Sequence, residues 1–223
     1  SGMEKLREST VAVFGIGGVG SHCAEALARS GVGRLILIDN DDVSVTNINR
    51  QCVAYHSTVG MKKTKVMEGI IREICPDNIQ EIFLAAGRVD YIVDAIDTVT
   101  AKLALAQYAG EAGIPLISSM GTGNKLHPEL FRIADISETS VCPLCRVMRK
   151  ELKSRGIQRL KVLFSTEKPV EPEPELEEQL IREEISENSS RRSVPGSIAF
   201  VPPAAGLLIA GEVVRELASA RGN

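Results

Sequence analysis

The sequence predicts an α/β fold with a Rossmann-like, doubly wound and mostly parallel sheet. Three observations lead to this prediction: a short β-branched run enters a glycine-rich turn, a helical segment follows that turn, and a second apolar run ends in an acid. Strand, turn, helix and strand in this order are typical of a βαβ unit that binds a nucleotide. With 223 residues, of which 43% are hydrophobic, the chain can bury the core of a single domain of this class.

The first strand is predicted over residues 11–14 and the glycine-rich turn over residues 15–20. We expect Gly15 to permit the tight turn, Gly17 to let a phosphate approach the backbone, and Gly20 to let the following helix pack closely on the strand. The free N–H groups at the start of that helix attract an anion. The candidate phosphate-binding glycines are therefore Gly15, Gly17, Gly18 and Gly20.

The second strand is predicted over residues 34–38 and ends in Asp39, an acid that can bind ribose hydroxyls. A glycine turn of this kind also fits enzymes that bind NAD or FAD, so the residues after Asp39 have to decide between ligands. Amides can hydrogen-bond phosphate oxygens, an arginine can hold them with its planar fork, and a lysine adds a point charge. This combination suits a triphosphate better than a dinucleotide. The candidate nucleotide-binding side chains are Asp39, Asp41, Asn47, Arg50, Gln51 and Lys63.

Two acids, Asp94 and Asp97, lie at the end of the strand predicted over residues 91–95. Doubly wound sheets bind their ligands at the carboxyl ends of the strands, so either acid could face a ligand. The alternative is that they cap the helix predicted over residues 98–110. Capping is the favoured interpretation for Asp94, and a ligand-binding role is the favoured one for Asp97.

Four motifs in the first half of the chain occur in an order that resembles the ThiF/MoeB/HesA superfamily of ubiquitin-activating-type adenylating enzymes. They are GIGGVGS (15–21), DNDDVSVTNINRQ (39–51), VGMKK (59–63) and DAIDT (94–98). The resemblance implies that a substrate carboxylate attacks the α-phosphate of ATP, which leaves an acyl adenylate and releases pyrophosphate. It further implies catalytic roles for Arg50, Lys63 and Asp97, with Asp97 as the ligand of Mg²⁺ and Arg50 ranked first.

The second half resembles the branch of that superfamily that dehydrates threonylcarbamoyladenosine in tRNA. The matching segments are SSMGTGNKLHP (118–128), DISETSVCPLCRVMRKELKSRGI (135–157) and VPGSIAFVPPAAGLLIAGEVV (194–214). This implies that the activated carboxylate belongs to the modified adenosine, that its carbamoyl function closes a ring, and that AMP leaves. The implied partners are tRNA carrying threonylcarbamoyladenosine and a second copy in a homodimer, with a sulfur-relay protein as a further candidate.

Two other functions stay open. The carboxylate could be the C-terminal glycine of a ubiquitin-like sulfur carrier, or the site could only bind nucleotide in a regulatory protein. Structural zinc in the carrier-activating branch takes two CxxC pairs. This chain has one, Cys142 and Cys145, which favours tRNA. The complete set of nucleotide-binding side chains makes a pure binding module the least favoured hypothesis.

The region after residue 121 is predicted to be a substrate-side extension of a single adenylating domain that spans residues 1–223, with residues 1–121 as its nucleotide-binding core. Its strands are predicted over residues 130–136, 162–165 and 198–201, and its last helix over residues 203–218. An apolar stretch in that helix, residues 204–211, is expected to be buried or to face a dimer partner. Residues 168–192 are acidic and rich in proline, and we predict a mobile loop there.

Four cations in the extension are spaced so that they share one face of a helix: Arg146, Arg149, Lys150 and Lys153. Such a face can neutralise successive tRNA phosphates, although a solvated surface is an equally good explanation. Net charge cannot decide between them, because it is only −3.

Five cysteines do not form the even framework of a disulfide-rich secreted domain, and the N-terminal segment has no apolar signal core. We therefore expect a reducing, cytoplasmic location. The single CxxC cannot close a four-thiolate zinc site within one chain, so little zinc is expected unless two subunits share it. His22, His56 and His127 are scattered singly and are expected to be ordinary structural or surface histidines.

Overall fold

A computed structural model of the chain describes residues 1–75, 89–171 and 196–219. A short strand that the sequence predicts over residues 79–83 lies outside these ranges, as does most of the acidic segment predicted to be a mobile loop.

The described residues form six strands and six helices of four or more residues. The strands are β1 (Thr10–Phe14), β2 (Arg34–Ile38), β3 (Tyr91–Asp94), β4 (Leu116–Ser119), β5 (Phe131–Asp135) and β6 (Lys161–Ser165). The helices are α1 (Gly2–Glu8), α2 (Gly20–Arg29), α3 (Lys63–Ile74), α4 (Val99–Ala112), α5 (Pro143–Ser154) and α6 (Val201–Ser219).

All six strands belong to one sheet in the order β2-β1-β3-β4-β6-β5. Every neighbouring pair is parallel except β5 and β6, which are antiparallel at the edge. From β1 the chain first passes outward to β2 and later returns to the other side of β1 as β3. This reversal is the topological switch point of a doubly wound sheet, where ligands bind. The predicted fold class is confirmed.

Helices cover both faces of the sheet and create two buried clusters. One cluster includes Leu27 of α2, Met67 of α3 and Ile209 of α6, and the other includes Leu103 of α4 and Met148 of α5. The strands between them alternate their side chains between the two clusters, because successive residues of a strand face opposite sides. Residues beyond 121 therefore build on the same sheet as the first half of the chain.

The strand predicted over residues 198–201 is wrong, because Val201 is instead the first residue of α6. Pro202 and Pro203 follow it, and proline has no N–H group to donate to a strand ladder. The N–H groups in the first turn of a helix have no intrahelical acceptor. A proline, which lacks an N–H group, is therefore tolerated there. The apolar residues predicted to form this strand therefore precede and begin helix α6.

Helix α6 packs closely against α2 at Gly206. A Cβ atom at this position would lie 2.3 Å from the carbonyl oxygen of Val19, so only glycine permits the contact. The burial expected for the apolar stretch holds for Ala205, Gly206, Ile209 and Ala210, whereas Leu207 and Leu208 are exposed. Among the described helices, none combines the length and the hydrophobicity that a membrane crossing requires.

Candidate nucleotide-binding site

The glycine turn after β1 has the tight geometry that the sequence predicts. Gly15 has φ of +89°, and a Cβ atom there would lie 2.6 Å from the carbonyl oxygen of Ala95. At Gly20 a Cβ atom would lie 1.7 Å from the carbonyl oxygen of Gly15. The start of α2 therefore rests directly on the end of β1, and neither position can carry a side chain without moving backbone.

Gly17 is different, because no packing among the described residues requires a glycine there. The nearest atom to an added Cβ is Gln51 Nε2 at 3.9 Å, which is ordinary contact. Gly18, by contrast, is covered by Pro202, whose Cβ atom would be 2.9 Å away, and by the stem of Arg50. The space in front of Gly17 is where a phosphate can approach the backbone.

We predict opposite outcomes for alanine at these two glycines. Gly17→Ala should change the free energy of unfolding by less than about 0.5 kcal/mol, as for an unstrained surface change, yet weaken ATP binding at least tenfold. Gly20→Ala should destabilise the protein by about 3 kcal/mol or more, because overpacking here meets backbone. Urea unfolding and calorimetric ATP titration measure the two effects. Equal stability of the two variants would contradict the proposed division of roles.

Asp39 holds the glycine turn and the end of β2 together. Its Oδ2 accepts a hydrogen bond from the Ile16 N–H at 2.6 Å, and its Oδ1 accepts one from the Asp41 N–H at 2.8 Å. A carboxylate oxygen has two acceptor sites, so these bonds leave capacity for a ribose hydroxyl. The ribose-binding role of Asp39 remains a prediction that this geometry permits.

Lys63 begins α3 and points its ammonium group toward the same region. The side chain is 7% exposed, and its Nζ lies 2.9 Å from Oδ2 of Asp41, which is itself 62% exposed. An exposed carboxylate can turn into solvent and leave the ammonium to another anion at little cost. Lys63 is therefore a pre-positioned cation whose present partner is easily exchanged.

Arg50 and Gln51 lie beside the glycine turn. Arg50 Nη1 donates to the carbonyl oxygen of Thr46 and to Asn49 Oδ1, each at 2.9 Å. Burial lowers the pKa of the Arg50 guanidinium, which nevertheless stays charged because the ordinary arginine value is so high. Gln51 is buried, and within the described residues its Oε1 has no hydrogen-bond partner. A buried acceptor without a donor is costly, and a ligand that donates here would remove the cost.

Asn47 also has a structural role. Its Oδ1 accepts a hydrogen bond from the Ser44 N–H at 3.0 Å and so caps the short 3-10 turn Val45–Asn47. This contact fixes the loop that leads to Arg50. Phosphate binding by Asn47 would have to use the amide nitrogen and remains a prediction.

Asp94 and Asp97 have separate environments, and the capping interpretation of Asp94 is wrong. Asp94 is fully buried and its Oδ2 forms an ion pair with Lys102 Nζ at 3.1 Å. The hydroxyl of Ser118 donates to the same oxygen at 2.5 Å. Lys102 Nζ also donates to the carbonyl oxygen of Ser119 at 2.7 Å. Burial lowers the pKa of the Lys102 ammonium, and the negative charge of Asp94 opposes that shift.

Asp97, unlike Asp94, is exposed at the carboxyl end of β3, next to the turn that follows β1. Its Oδ1 accepts a hydrogen bond from the Thr98 hydroxyl at 3.2 Å. The N-cap position of α4 is Thr98, and no side chain caps that helix. Asp97 is thus an available hard oxygen ligand at the switch point, which fits a cation that keeps several waters.

The sequence did not single out Lys102, Ser118 or Pro202. Lys102 lies in a helix whose sequence suggests no buried partner for a charge, so a lysine there would be taken for a surface residue. Its role depends on Asp94 and Ser118, which come from two other elements of the sheet. Pro202 reaches Gly18 from the far end of the chain.

The cationic face of α5 is not uniform. Arg146, Lys150 and Lys153 are exposed, whereas Arg149 is half-buried and donates to the carbonyl oxygen of Thr139 at 2.8 Å. Arg149 therefore fastens α5 to the preceding loop. Among the described residues, the other three cations have no ion-pair partner, so they can meet a polyanion.

The CxxC pair begins α5 and is buried. The Cys145 thiol donates a hydrogen bond to the Cys142 sulfur, and backbone N–H groups also donate to it. These hydrogen bonds lower the pKa of the Cys142 thiol to about 6. The same interaction and burial raise the pKa of Cys145. Burial raises the pKa of Cys23 to about 12 and that of Cys52 to about 11, so neither thiol is activated as a nucleophile.

The fold and the site together define an α/β protein of the nucleotide-binding class, with its glycine turn, candidate cations and exposed acid near the switch point of the sheet. Residues 1–222 match the ThiF family. The chain belongs to this family, as its motifs predict.

Comparison with known proteins identifies similar relatives along nearly the whole chain. The tRNA threonylcarbamoyladenosine dehydratase of Bacillus subtilis is 43% identical over 229 residues, which cover 97% of this chain and 89% of that protein. The crystal structure of the Escherichia coli tRNA N6-threonylcarbamoyladenosine dehydratase, TcdA, superposes with a TM-score of 0.82 at 31% identity, covering 97% of this chain and 88% of the other. The complex of TcdA with ATP gives a TM-score of 0.80 at the same identity and coverage.

Proposed function

We propose that the protein uses ATP to dehydrate threonylcarbamoyladenosine in tRNA. The observation that carries this proposal is the 43% identity to the Bacillus subtilis dehydratase, because it extends over 97% of the chain and includes the second half. That half is where a substrate other than ATP would be selected. The site at the switch point supplies the groups that the first chemical step needs.

In this reaction an oxygen of the threonylcarbamoyl carboxylate attacks the α-phosphate of ATP and pyrophosphate leaves. The carbamoyl function of the same group then attacks the acyl adenylate, a ring closes and AMP leaves. One water is lost from the modified nucleoside in the net reaction. No general base is essential for the first step, so the protein contributes mainly position and charge.

The proposed tasks of the site residues follow from the motifs of the family. Arg50 and Lys63 would bind the phosphates and stabilise the charge that develops on them. The backbone at Gly17 would lie against a phosphate, and Asp39 would orient the ribose. Asp97 would hold Mg²⁺, which when bound neutralises charge on the phosphate chain. The Oε1 of Gln51, which has no partner in the described part of the chain, would accept a hydrogen bond from the nucleotide.

The proposed assembly is a cytoplasmic homodimer. The exposed Leu207 and Leu208 of α6 are candidates for a subunit contact. A sulfur-relay protein is a further candidate partner. Sedimentation of the purified protein tests whether it forms the homodimer.

The test is an assay with ATP, Mg²⁺ and tRNA that carries the threonylcarbamoyl group. After digestion to nucleosides, mass spectrometry should find the modified adenosine lighter by one water, with AMP formed alongside. Unmodified tRNA is the matched control and should give neither. If the modified nucleoside is unchanged while a ubiquitin-like carrier becomes adenylated at its C-terminus, the carrier-activating function replaces this one.

The exposed cations of α5 provide a prediction about tRNA. Changing Arg146, Lys150 and Lys153 together to glutamate should weaken tRNA binding by at least about tenfold at moderate salt and leave ATP binding unchanged, because cations on a helix contact phosphates of the polyanion. Filter binding over a range of salt concentrations measures this effect. As a control for charge alone, Arg7→Glu and Lys65→Glu alter exposed cations elsewhere and should not weaken binding. Unchanged tRNA affinity in the triple variant would show that α5 is only a solvated surface.

A further inference from the structure

The side chains of His22, Glu25 and Cys52 converge beside the candidate nucleotide site. Each offers one possible metal-ligand atom, and these three atoms all lie within 4.8 Å of one another. In the described part of the chain no other three such side chains come this close. The group is not evident from the sequence, because Cys52 is far from His22 and Glu25 along the chain.

The backbone explains the convergence. His22 and Glu25 are three residues apart in α2, so their side chains project from the same face of the helix. Cys52 approaches from the loop after Gln51, and its N–H donates to the Ser21 hydroxyl of α2 at 3.3 Å. The two segments are therefore held together independently of any metal, which reduces the entropy lost when a metal binds.

The three donors match the chemistry of zinc. Zn²⁺ binds imidazole nitrogen, carboxylate oxygen and thiolate sulfur at about 2.0 to 2.3 Å in a tetrahedron, which separates the ligand atoms by roughly 3.4 to 3.6 Å. Since the atoms are at most 4.8 Å apart, each pair has to close by no more than about 1.4 Å. All three side chains are half-buried, so rotation of their χ angles can supply this movement. A fourth position would remain for water.

His22 already has the second partner that a metal-bound histidine uses. Its Nε2 lies 3.2 Å from the carbonyl oxygen of Arg50. A ligating histidine commonly donates its other ring N–H to a carboxylate or a backbone carbonyl, which fixes the tautomer and the ring orientation. With Nε2–H donating to the Arg50 carbonyl, Nδ1 is the ring nitrogen that would bind the metal in the proposed site.

Glu25 has a hydrogen bond with the Cys52 side chain and an ion pair with Arg29, and the ion pair is weak enough to be displaced. Its Oε1 accepts from Arg29 Nε at 2.9 Å, and the Arg29 side chain is 62% exposed. Exposed ion pairs of this kind contribute little. A divalent ion would therefore compete easily for the carboxylate.

We propose that His22, Glu25 and Cys52 form a Zn²⁺ site that fastens α2 to the segment carrying Arg50. The site lies outside the glycine turn and does not include the CxxC pair. Zinc would hold Cys52, two residues after Arg50, and His22, whose ring contacts the Arg50 carbonyl. The ion would thus restrain the backbone of Arg50 from both sides without touching the nucleotide.

The test uses the full chain, stripped of metal by a chelator and kept reduced. Titration with Zn²⁺ against a chromophoric chelator should show one ion bound per chain. Co²⁺ should bind at the same place and give the near-ultraviolet absorption of a thiolate bound to cobalt. His22→Ala and Cys52→Ser should each weaken Zn²⁺ binding at least tenfold, and Cys52→Ser should remove the cobalt absorption. Glu25→Gln, which keeps the shape of the side chain, should also weaken binding.

The matched controls alter cysteines outside the proposed site. Cys75→Ser and the double change Cys142→Ser with Cys145→Ser should bind Zn²⁺ as the unaltered protein does. Metal binding that disappears with the CxxC pair and survives Cys52→Ser would overturn the proposal, as would a cobalt complex without thiolate absorption or the absence of stoichiometric binding. Circular dichroism of the metal-free variants shows whether each is folded. If Cys52→Ser is not folded, Glu25→Gln and His22→Gln decide the question.

Discussion

Arg50→Ala is expected to slow adenylate formation by about 10³-fold or more, the largest effect on activity of any single change in the site. In phosphoryl transfer an arginine that contacts the reacting phosphate increases the rate by a factor of about 10³ to 10⁵. Arg50 is positioned for such a contact, because its stem covers Gly18 and its guanidinium is held by the carbonyl oxygen of Thr46. The expected loss is in kcat, with a smaller change in the KM for ATP, since charge on the phosphates is greatest in the transition state.

The rate of AMP formation with the modified tRNA measures this effect. Arg50→Lys retains the charge and loses the planar fork, so it should recover only part of the activity. Arg72→Ala is the matched control, since Arg72 pairs with Glu68 on the exposed side of α3. The thermal unfolding midpoint should be nearly unchanged in all three variants. Full activity of Arg50→Ala would remove Arg50 from the catalytic set.

Lys102→Ala should be the most destabilising change in the described core, by about 3 to 5 kcal/mol. Lys102 and Asp94 are 1% and 0% exposed, and neither can reach water when its partner is removed. The alanine variant leaves a buried carboxylate with Ser118 as its side-chain donor. An uncompensated charge in a medium of low polarity is costly, which is why breaking such a pair costs more than the pair contributes.

Urea unfolding of single and double variants separates the charge from the packing. Changing both partners, Lys102→Met with Asp94→Asn, should recover most of the stability, because no isolated charge remains. Arg155→Ala breaks an ion pair with Glu151 on the surface and should cost no more than about 1 kcal/mol. A Lys102→Ala protein as stable as Arg155→Ala would show that the buried pair matters no more to stability than a surface pair.

The buried network of Asp94, Lys102 and Ser118 also matters for function, because it lies next to Asp97. Asp94 lies three residues before Asp97, and its Oδ1 accepts from the Ile96 N–H at 3.1 Å. The network therefore anchors the loop that presents Asp97 at the switch point. The glycine turn also packs against this loop, because Gly15 lies against the carbonyl of Ala95, so loss of Lys102 should disturb the loop and the turn together.

The fold class could be predicted from sequence because it depends on short-range patterns, and the same patterns predict the candidate nucleotide site. Apolar runs of strand length and the spacing of Gly15 and Gly20 are local features that sterics and burial translate directly into a βαβ unit. The polar residues around Arg50 and Lys63 lie in the segment that follows β2 and leads to α3. Their approach to the glycines is a consequence of that unit, so the motif order was sufficient to anticipate it.

Tertiary structure alone decided which polar groups are partners. Asp94 was expected to cap a helix, but Lys102 and Ser118 reach it from other elements and make it a buried ion-pair partner. The strand predicted over residues 198–201 is the start of α6, and Arg149 binds a carbonyl rather than facing solvent with its neighbours. Each of these outcomes depends on atoms far apart in the chain. Local pattern determines which face of an element is apolar, whereas the partner of a buried charge is fixed only when the packed elements exclude water around it.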